Sequence, residues 1–395
     1  MTETYIFGAA RTPMGAFMGE LAGVEATQLG ATAITAALSQ SGIAADQIDE
    51  VFMGNVLPAG LGQAPARQAA IHAGIPQRTP CTTVSKVCGS GMRAAMFAQD
   101  AVVLGHAELV VAGGMESMSN APYLLPKARG GYRIGHGQTL DHMMLDGLED
   151  AYDIAPDGTR RAMGTFGEDC AAHYDFTRQQ QDDFAIASVS RAQQAAASGA
   201  FDWELSPVTV KTRKGDQVID SDEGPRRIDP AKIPGLRAAF KKDGTITAAS
   251  SSSINDGAAA LIIGGATAAK AHQPIARIVG QAAFAAAPGW FTTAPIHAMD
   301  RLFDRIGWTY ANVDLFEINE AFAVVPMAAM KDRDIPHDRV NVHGGACALG
   351  HPIGASGARI IVTLLGALRA RGLTRGVASI CIGGGEGTAI AIELI

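Results

Sequence analysis

The second half of the chain repeats the first. The stretch from Gly42 through Ile48-Asp49 to Asn55 returns from Gly307 through Val313-Asp314 to Asn319, with Gly42 and Gly307, and Ile48 and Val313, both 265 residues apart. Gly89-Ser90-Gly91-Met92-Arg93 returns as Ala355-Ser356-Gly357-Ala358-Arg359, where Gly91 and Gly357 are 266 apart, and Gly372 answers Gly105 at 267. Finally, Leu109–Gly114 is answered by Val377–Gly384, each a β-prone run ending in glycines. Four landmarks in one order at a nearly constant offset mean an internal duplication. Within each copy, β-prone runs alternate with helical ones, as in Thr27–Ser39 and Leu109–Gly114, so the fold class is α/β. Either copy alone is too short to bury a helix-covered sheet. The two must therefore pack together, with a functional cleft at their junction.

Residues 121–248 have no partner in this scheme. They open with Pro122 and Pro126, contain Gly130-Gly131, and hold a helix over Arg178–Gly199 capped by Thr177 or Asp175. The chain divides into a first half of 1–120 plus 249–271, an inserted loop subdomain of 121–248, and a second half of 272–395. Within the insert, residues 211–242 carry nine Lys/Arg against five Asp/Glu, a balance of +4 in a chain of −7. Such segregation suits either a solvated loop or the docking of a phosphorylated small molecule.

The overall charge of −7 excludes nucleic acid as the main partner. Five cysteines, an odd number without a C-x-x-C pair, argue against a disulfide framework and for a reducing compartment, hence a cytoplasmic protein. The start, Met1-Thr2-Glu3-Thr4-Tyr5, lacks a basic, apolar signal segment. Ile278–Met299 is uncharged and long enough to cross a bilayer, but Gln281, Pro288, Pro295 and His297 interrupt it, so no membrane span is expected.

Chemistry gathers at glycine-rich turns. A β-prone run containing Val84 and Val87 leads to Cys88, and Gly89-Ser90-Gly91 opens an Ala-rich helix. A thiol at a strand end and a helix start meets free N–H groups and the positive helix end, which favours the thiolate. A cysteine packed in the core is the competing reading. In the repeat, His351 lies in the loop before the helix matching that of Cys88, so the duplication brings a base towards the thiol. Cys381 precedes Gly383-Gly384-Gly385, whose N–H groups suit an oxyanion, and Asn319 closes a strand of the second half. With neither C-x-x-C nor H-E-x-x-H spacing, these residues do not read as a metal site. Cys81, Cys170 and Cys347 read as structural.

Val87-Cys88-Gly89-Ser90-Gly91-Met92, Gly113-Gly114-Met115-Glu116-Ser117-Met118-Ser119, Asn319-Glu320-Ala321-Phe322, Gly350-His351-Pro352-Ile353-Gly354 and Cys381-Ile382-Gly383-Gly384-Gly385 resemble the thiolase family over essentially the whole chain. The likeness is greatest to its short-chain acetyl-CoA C-acetyltransferase branch. It implies duplicated βαβαβ halves, each a mixed sheet covered by helices, and Claisen condensation of acetyl-CoA through an acetyl-Cys88 thioester. It also implies His351 as activator of that thiol, Cys381 as the acid–base at the α-carbon, and His351 with an Asn319-held water as one oxyanion hole. The N–H groups of Cys88 and Gly383 form the second. The acyl and pantetheine pocket is implied to comprise Leu148, Met163, Ser252, Phe291, Ala321, Phe322 and Ile353, with Arg226 facing the CoA phosphates. No cofactor or metal is implied beyond CoA thioesters as substrates, and the expected assembly is a homotetramer built as a dimer of dimers.

Three departures from the family pattern stand out. Ala162-Met163-Gly164 replaces His-Met-Gly after an insertion at Pro156–Arg161, which leaves Arg160 or Arg161 to replace a pantetheine contact. Ser250-Ser251-Ser252-Ser253 replaces Asn-x-Ser-Gly, and Glu386 stands near Cys381, where a carboxylate would raise the thiol's pKa. Bulky Met163 and Phe291 favour short acyl chains over a broader 3-ketoacyl-CoA thiolase, and Phe291-Thr292 resembles the branched-chain-tolerant type. A non-catalytic acyl-CoA or lipid carrier on this scaffold would have lost Cys88, Asn319, His351 and Cys381. A β-ketoacyl synthase would use two histidines, or His and Asn, in place of a second cysteine.

Overall fold

The computed structural model describes residues 3–395. Nine strands, β1 (Thr4–Arg11), β2 (Glu50–Gly54), β3 (Cys81–Val84), β4 (Leu109–Ser117), β5 (Asn255–Gly264), β6 (Ala276–Ala285), β7 (Leu315–Ile318), β8 (Arg375–Ile382) and β9 (Glu386–Leu394), line up as β7-β8-β9-β6-β1-β5-β4-β2-β3. Counting outwards from the central β1/β6 pair, each half is antiparallel, antiparallel, then parallel. Even the outermost strand has a remnant, because Val340 bridges Phe316 in parallel as β3 pairs with β2. The expected duplicated α/β architecture is therefore present strand by strand.

The main helices are α1 (Ala26–Ser41), α2 (Pro65–His72), α3 (Ser90–Val103), α4 (Met163–His173), α5 (Arg178–Ala197), α6 (Ala294–Ile306), α7 (Val324–Arg333) and α8 (Ile353–Arg371). α1 packs on β1 and β5 of the first half, and α6 packs on β6 and β9 of the second. Both end at repeat-equivalent glycines, Gly42 (φ 67°) and Gly307 (φ 72°), whose left-handed backbone stops a helix at little cost.

α3 and α8 pack together between the two halves, where Met92, Met96, Ile360 and Leu364 share a core with Val110 and Ile380. They cross at glycine. A Cβ on Gly91 would lie 2.8 Å from the Ala358 nitrogen, and one on Gly357 would lie 2.4 Å from the Met92 nitrogen. Because Gly91 and Gly357 are repeat equivalents, the crossing lies on the pseudo-twofold axis. Both helix N-termini thus converge on one place. α8 is buried from Ile353 to Leu368 and is long and apolar enough to cross a membrane by length and composition alone. Ile278–Met299, by contrast, is split among β6, a one-turn segment and the start of α6.

Residues 121–248 contribute α4, α5 and three small hairpins. α5 begins with a capping box in which Thr177 accepts from the Gln180 N–H, so Thr177 and not Asp175 is the cap.

Candidate active site

The run towards Cys88 does not remain a strand as expected. β3 stops at Val84, and Val87 takes φ +44°, a strained value for a β-branched residue. The buried Ser90 hydroxyl holds this elbow, accepting from the Lys86 N–H at 2.8 Å and donating to the Val87 carbonyl at 2.7 Å. Cys88 is thereby turned out ahead of α3, half-buried, with its sulfur accepting from its own N–H and from that of Gly383. Those bonds and the helix end do not produce the expected resting thiolate. Burial outweighs them and pushes the thiol up to about 11. Cys88 rests protonated and needs a base.

The candidate base lies across the helix crossing. His351 is buried, and its N–H donates to Asn255 Oδ1 at 3.1 Å. Its Nδ1 lies 2.5 Å from Ser356 Oγ, whose own proton is committed to the Pro352 carbonyl at 2.9 Å. Ser356 must therefore accept, which leaves the hydrogen on Nδ1 and the lone pair on Nε2. Burial, with the charge of Arg359, lowers this imidazole to about 3, so it is neutral at physiological pH. Among the described residues Nε2 has no partner, and neither do Oδ1 and Nδ2 of Asn319, a side chain only 1% exposed. Buried polar groups are nearly always paired. Three orphaned atoms at two predicted site residues mark a place for a ligand or water.

Asn319 follows β7, and its N–H donates to Ser379 of the neighbouring β8, two residues before Cys381. Cys381 is buried, and its thiol is raised by burial and then by Cys88 nearby. The effect expected of Glu386 does not occur, because its carboxylate is taken by Lys86 in an ion pair. Cys88, Asn319, Cys381 and Gly383 thus meet where strands of both halves end, as the strand-end rule for α/β sheets anticipates.

The remaining candidates fall into two walls. Leu148, Ile353 and Cys88 pack with Val56, Leu57 and Met143. Met163, Phe291, Ala321, Phe322 and Cys381 share the second half's outer cluster. Ser252 joins them through its N–H to the Ala321 carbonyl at 2.9 Å. Its hydroxyl is the only one of Ser250–Ser253 without a hydrogen-bond partner among the described residues. A cavity of 240 Å³ opens beside Val87, Met163, Gly383 and Gly384, roofed by Tyr152 and Arg160. Arg160 faces this cavity, whereas Arg161 is engaged by Asp169 at 2.6 Å and lies over Phe166. Arg226 is not brought there; its guanidinium is paired with Glu20.

Sequence reasoning missed Ser90, Ser356 and the carboxylate of Glu116. The two serines did leave a signal, since they occupy the same place in the repeated Gly89-Ser90-Gly91 and Ala355-Ser356-Gly357.

Comparison with known proteins agrees with this geometry. The family models described as thiolase N-terminal and C-terminal domains match residues 4–266 and 272–394. Acetyl-CoA acetyltransferase 1 of Arabidopsis thaliana is 49% identical over 398 residues, spanning 100% of this chain and 94% of its own. The acetyl-CoA acetyltransferase of Cupriavidus necator is 46% identical, with both chains covered in full. Among solved structures, the Bacillus anthracis acetyl-CoA acetyltransferase superposes with a TM-score of 0.96 at 38% identity, covering 100% of this chain and 99% of that one. Acat5 thiolase from Ascaris suum, in complex with coenzyme A, superposes at 0.92 and 41%, with both chains fully covered.

Proposed function

The chain belongs to the thiolase family, and from that premise we propose how its residues divide the work of an acetyl-CoA acetyltransferase. The enzyme condenses two molecules of acetyl-CoA to acetoacetyl-CoA and CoA, and catalyses the reverse thiolysis. Cys88 attacks the first thioester. Its sulfur–acyl bond forms as the bond to CoA sulfur breaks; the Cys88 thiol proton passes to His351 Nε2, and the departing CoA sulfur takes the proton of the Cys381 thiol, which is left as the thiolate. A thiol near 11 and an imidazole near 3 make free ionisation unfavourable, so proton transfer accompanies attack.

Cys381 then removes the α-proton of the second acetyl-CoA. The resulting carbanion attacks the acetyl-Cys88 carbonyl, and Cys88 leaves as product forms, regaining its proton from His351 Nε2. The enolate oxygen is held by His351 and an Asn319-bound water, and the tetrahedral oxyanion by the N–H groups of Cys88 and Gly383. One missing donor in such a hole costs about 2.7–4 kcal/mol of barrier. The observation that carries this reading is the set of three unpartnered buried atoms on Asn319 and His351.

The walls formed by Leu148, Met163, Ser252, Phe291, Ala321, Phe322 and Ile353 would hold acyl group and pantetheine, and bulky Met163 and Phe291 among them support short acyl chains. Arg226 would reach the CoA phosphates only by leaving Glu20. The reaction needs no cofactor besides its CoA thioesters, and five unpaired cysteines support a cytoplasmic setting, which imaging of a tagged chain would test. Exposed Tyr123, Leu125 and Ile134 in the insert support a tetramer of 40.9 kDa chains, measurable by sedimentation.

Intact mass after mixing with acetyl-CoA tests the mechanism. One acetyl group is expected on Cys88, none on Cys88→Ala, while Cys381→Ala still acetylates but barely condenses. An adduct that survives Cys88→Ala would sink it.

A further inference from the structure

Two buried carboxylates lie on either side of the His351 loop, and neither has a cation within hydrogen-bond reach among the described residues. Glu116, at the end of β4 in the first half, uses Oε1 to accept from the Asn55 side chain at 2.7 Å and the Leu57 N–H at 3.2 Å. Its Oε2 accepts from the Val56 N–H at 3.0 Å and, across the interface, from the Gly354 N–H at 2.9 Å in the first turn of α8. Glu320, in the second half, accepts from the Cys347 N–H at 3.0 Å, from Asn341 Nδ2 at 2.8 Å and from the Ser188 hydroxyl at 2.7 Å. Ser188 in turn accepts from the Gly345 N–H at 3.0 Å. Both carboxylates are wholly buried.

Burying a carboxylate without a cation is costly unless amide donors replace its water. Here one donor to each carboxylate comes from an end of a single loop. Cys347 donates to Glu320, Gly345 is tied to Glu320 through Ser188, Gly354 donates to Glu116, and His351 lies between.

We infer that Glu116 and Glu320 are positioning residues, which clamp the two ends of the 345–354 loop and thereby hold His351 Nε2 at the distance from Cys88 that the reaction needs. Glu116 does more than brace the fold. Among the described residues it is the one side chain bonded both to the first-half turn at Asn55–Leu57 and to the helix that follows His351. The inference rests on His351 as the activating base.

Glutamine at position 116 matches only half of these donors. Whichever way its amide points, the NH2 group faces two N–H donors, either Asn55 and Leu57 or Val56 and Gly354. One of the two orientations releases the loop.

The test is a double-mutant cycle read by steady-state thiolysis of acetoacetyl-CoA. Glu116→Gln is expected to lower kcat by about a hundredfold, the scale of a misplacement near 1 Å, with KM changed less than about threefold. In a His351→Ala background the same substitution is expected to change the rate by less than about threefold, because its effect passes through the missing imidazole. An equal loss in both backgrounds, or none in the native one, overturns the inference. Ser188→Ala runs through the same cycle if Glu116→Gln does not fold, with a smaller loss of about tenfold and the same required non-additivity. Retained activity in His351→Ala alone would refute the base assignment instead.

Discussion

The loops that carry Cys88 and His351 occupy equivalent places in the two halves, yet they are built in opposite ways. The first is a tight elbow between β3 and α3, half-open to solvent and strained at Val87. The second runs from Gly345 through a single turn at Ala346–Leu349 to Pro352, and is buried throughout. The elbow turns a sulfur out, half-open to solvent. The buried loop keeps an imidazole dry, neutral and in one tautomer. What they share is the frame: two helix starts converging on one axis, each with a serine in its first turn that folds back on the loop before it. The difference teaches that duplication supplied the convergence, while the loops, free of sheet register, diverged into the settings proposed above for a nucleophile and a base.

The comparison breaks most severely where the halves touch. Gly357→Ala puts a Cβ against the Met92 backbone nitrogen, which no rotamer can relieve. We expect a loss of at least about 3 kcal/mol of stability, at or beyond the usual upper end for overpacking, seen as a lowered denaturation midpoint or insoluble protein. A midpoint like that of the parent would contradict the crossing.

The two serines come next. Ser356→Ala frees the His351 tautomer, and kcat is expected to fall roughly 10–100-fold, part of what a positioned base supplies. Ser356→Thr, which keeps the hydroxyl, should recover most of it. Ser90→Ala removes two bonds from the elbow and should act mainly on stability, by about 1–2 kcal/mol, with a smaller loss of rate. If Ser90→Ala were the more damaging to kcat, the elbow and not the tautomer would be the sensitive part.

The smallest effect concerns acid. His343 is buried beside Phe201, with Arg371 and Arg11 nearby, and is lowered to about 4. The unfolded chain protonates this residue near 6.5 and the native protein only near 4, so stability is present above about pH 6.5 and lost as pH falls towards 4. His343→Gln should flatten that limb of a midpoint-against-pH curve. An unchanged limb would assign the acid sensitivity to the other lowered histidines, His351 and His337.

Much of this was legible beforehand. Constant offsets between glycines revealed the two halves, because a helix stop and a helix crossing demand glycine for reasons local enough to be visible in one dimension. Cys88, His351 and Cys381 were legible as residues in glycine-rich turns, and Asn319 as the residue closing a strand. Their states were not. The thiolate expected of Cys88 gives way to a thiol, because desolvation depends on atoms from both halves. The effect expected of Glu386 disappears because Lys86, 300 positions earlier, reaches its carboxylate first. Arg160 and Arg161 looked interchangeable until one faced the cavity and the other met Asp169.

The sequence by itself determined the alternation of strands and helices, the duplication, and which side chains are available for chemistry, since these follow from periodicity and from the backbone needs of single residues. Only the tertiary structure decided that Ser356 sets the tautomer of His351, that Asn319 is left with two unsatisfied atoms, and that Glu116 joins the halves beneath the site. Hydrogen-bond partners and burial are properties of distance in space. In this protein the distances that matter run between residues as far apart as Glu116 and Gly354.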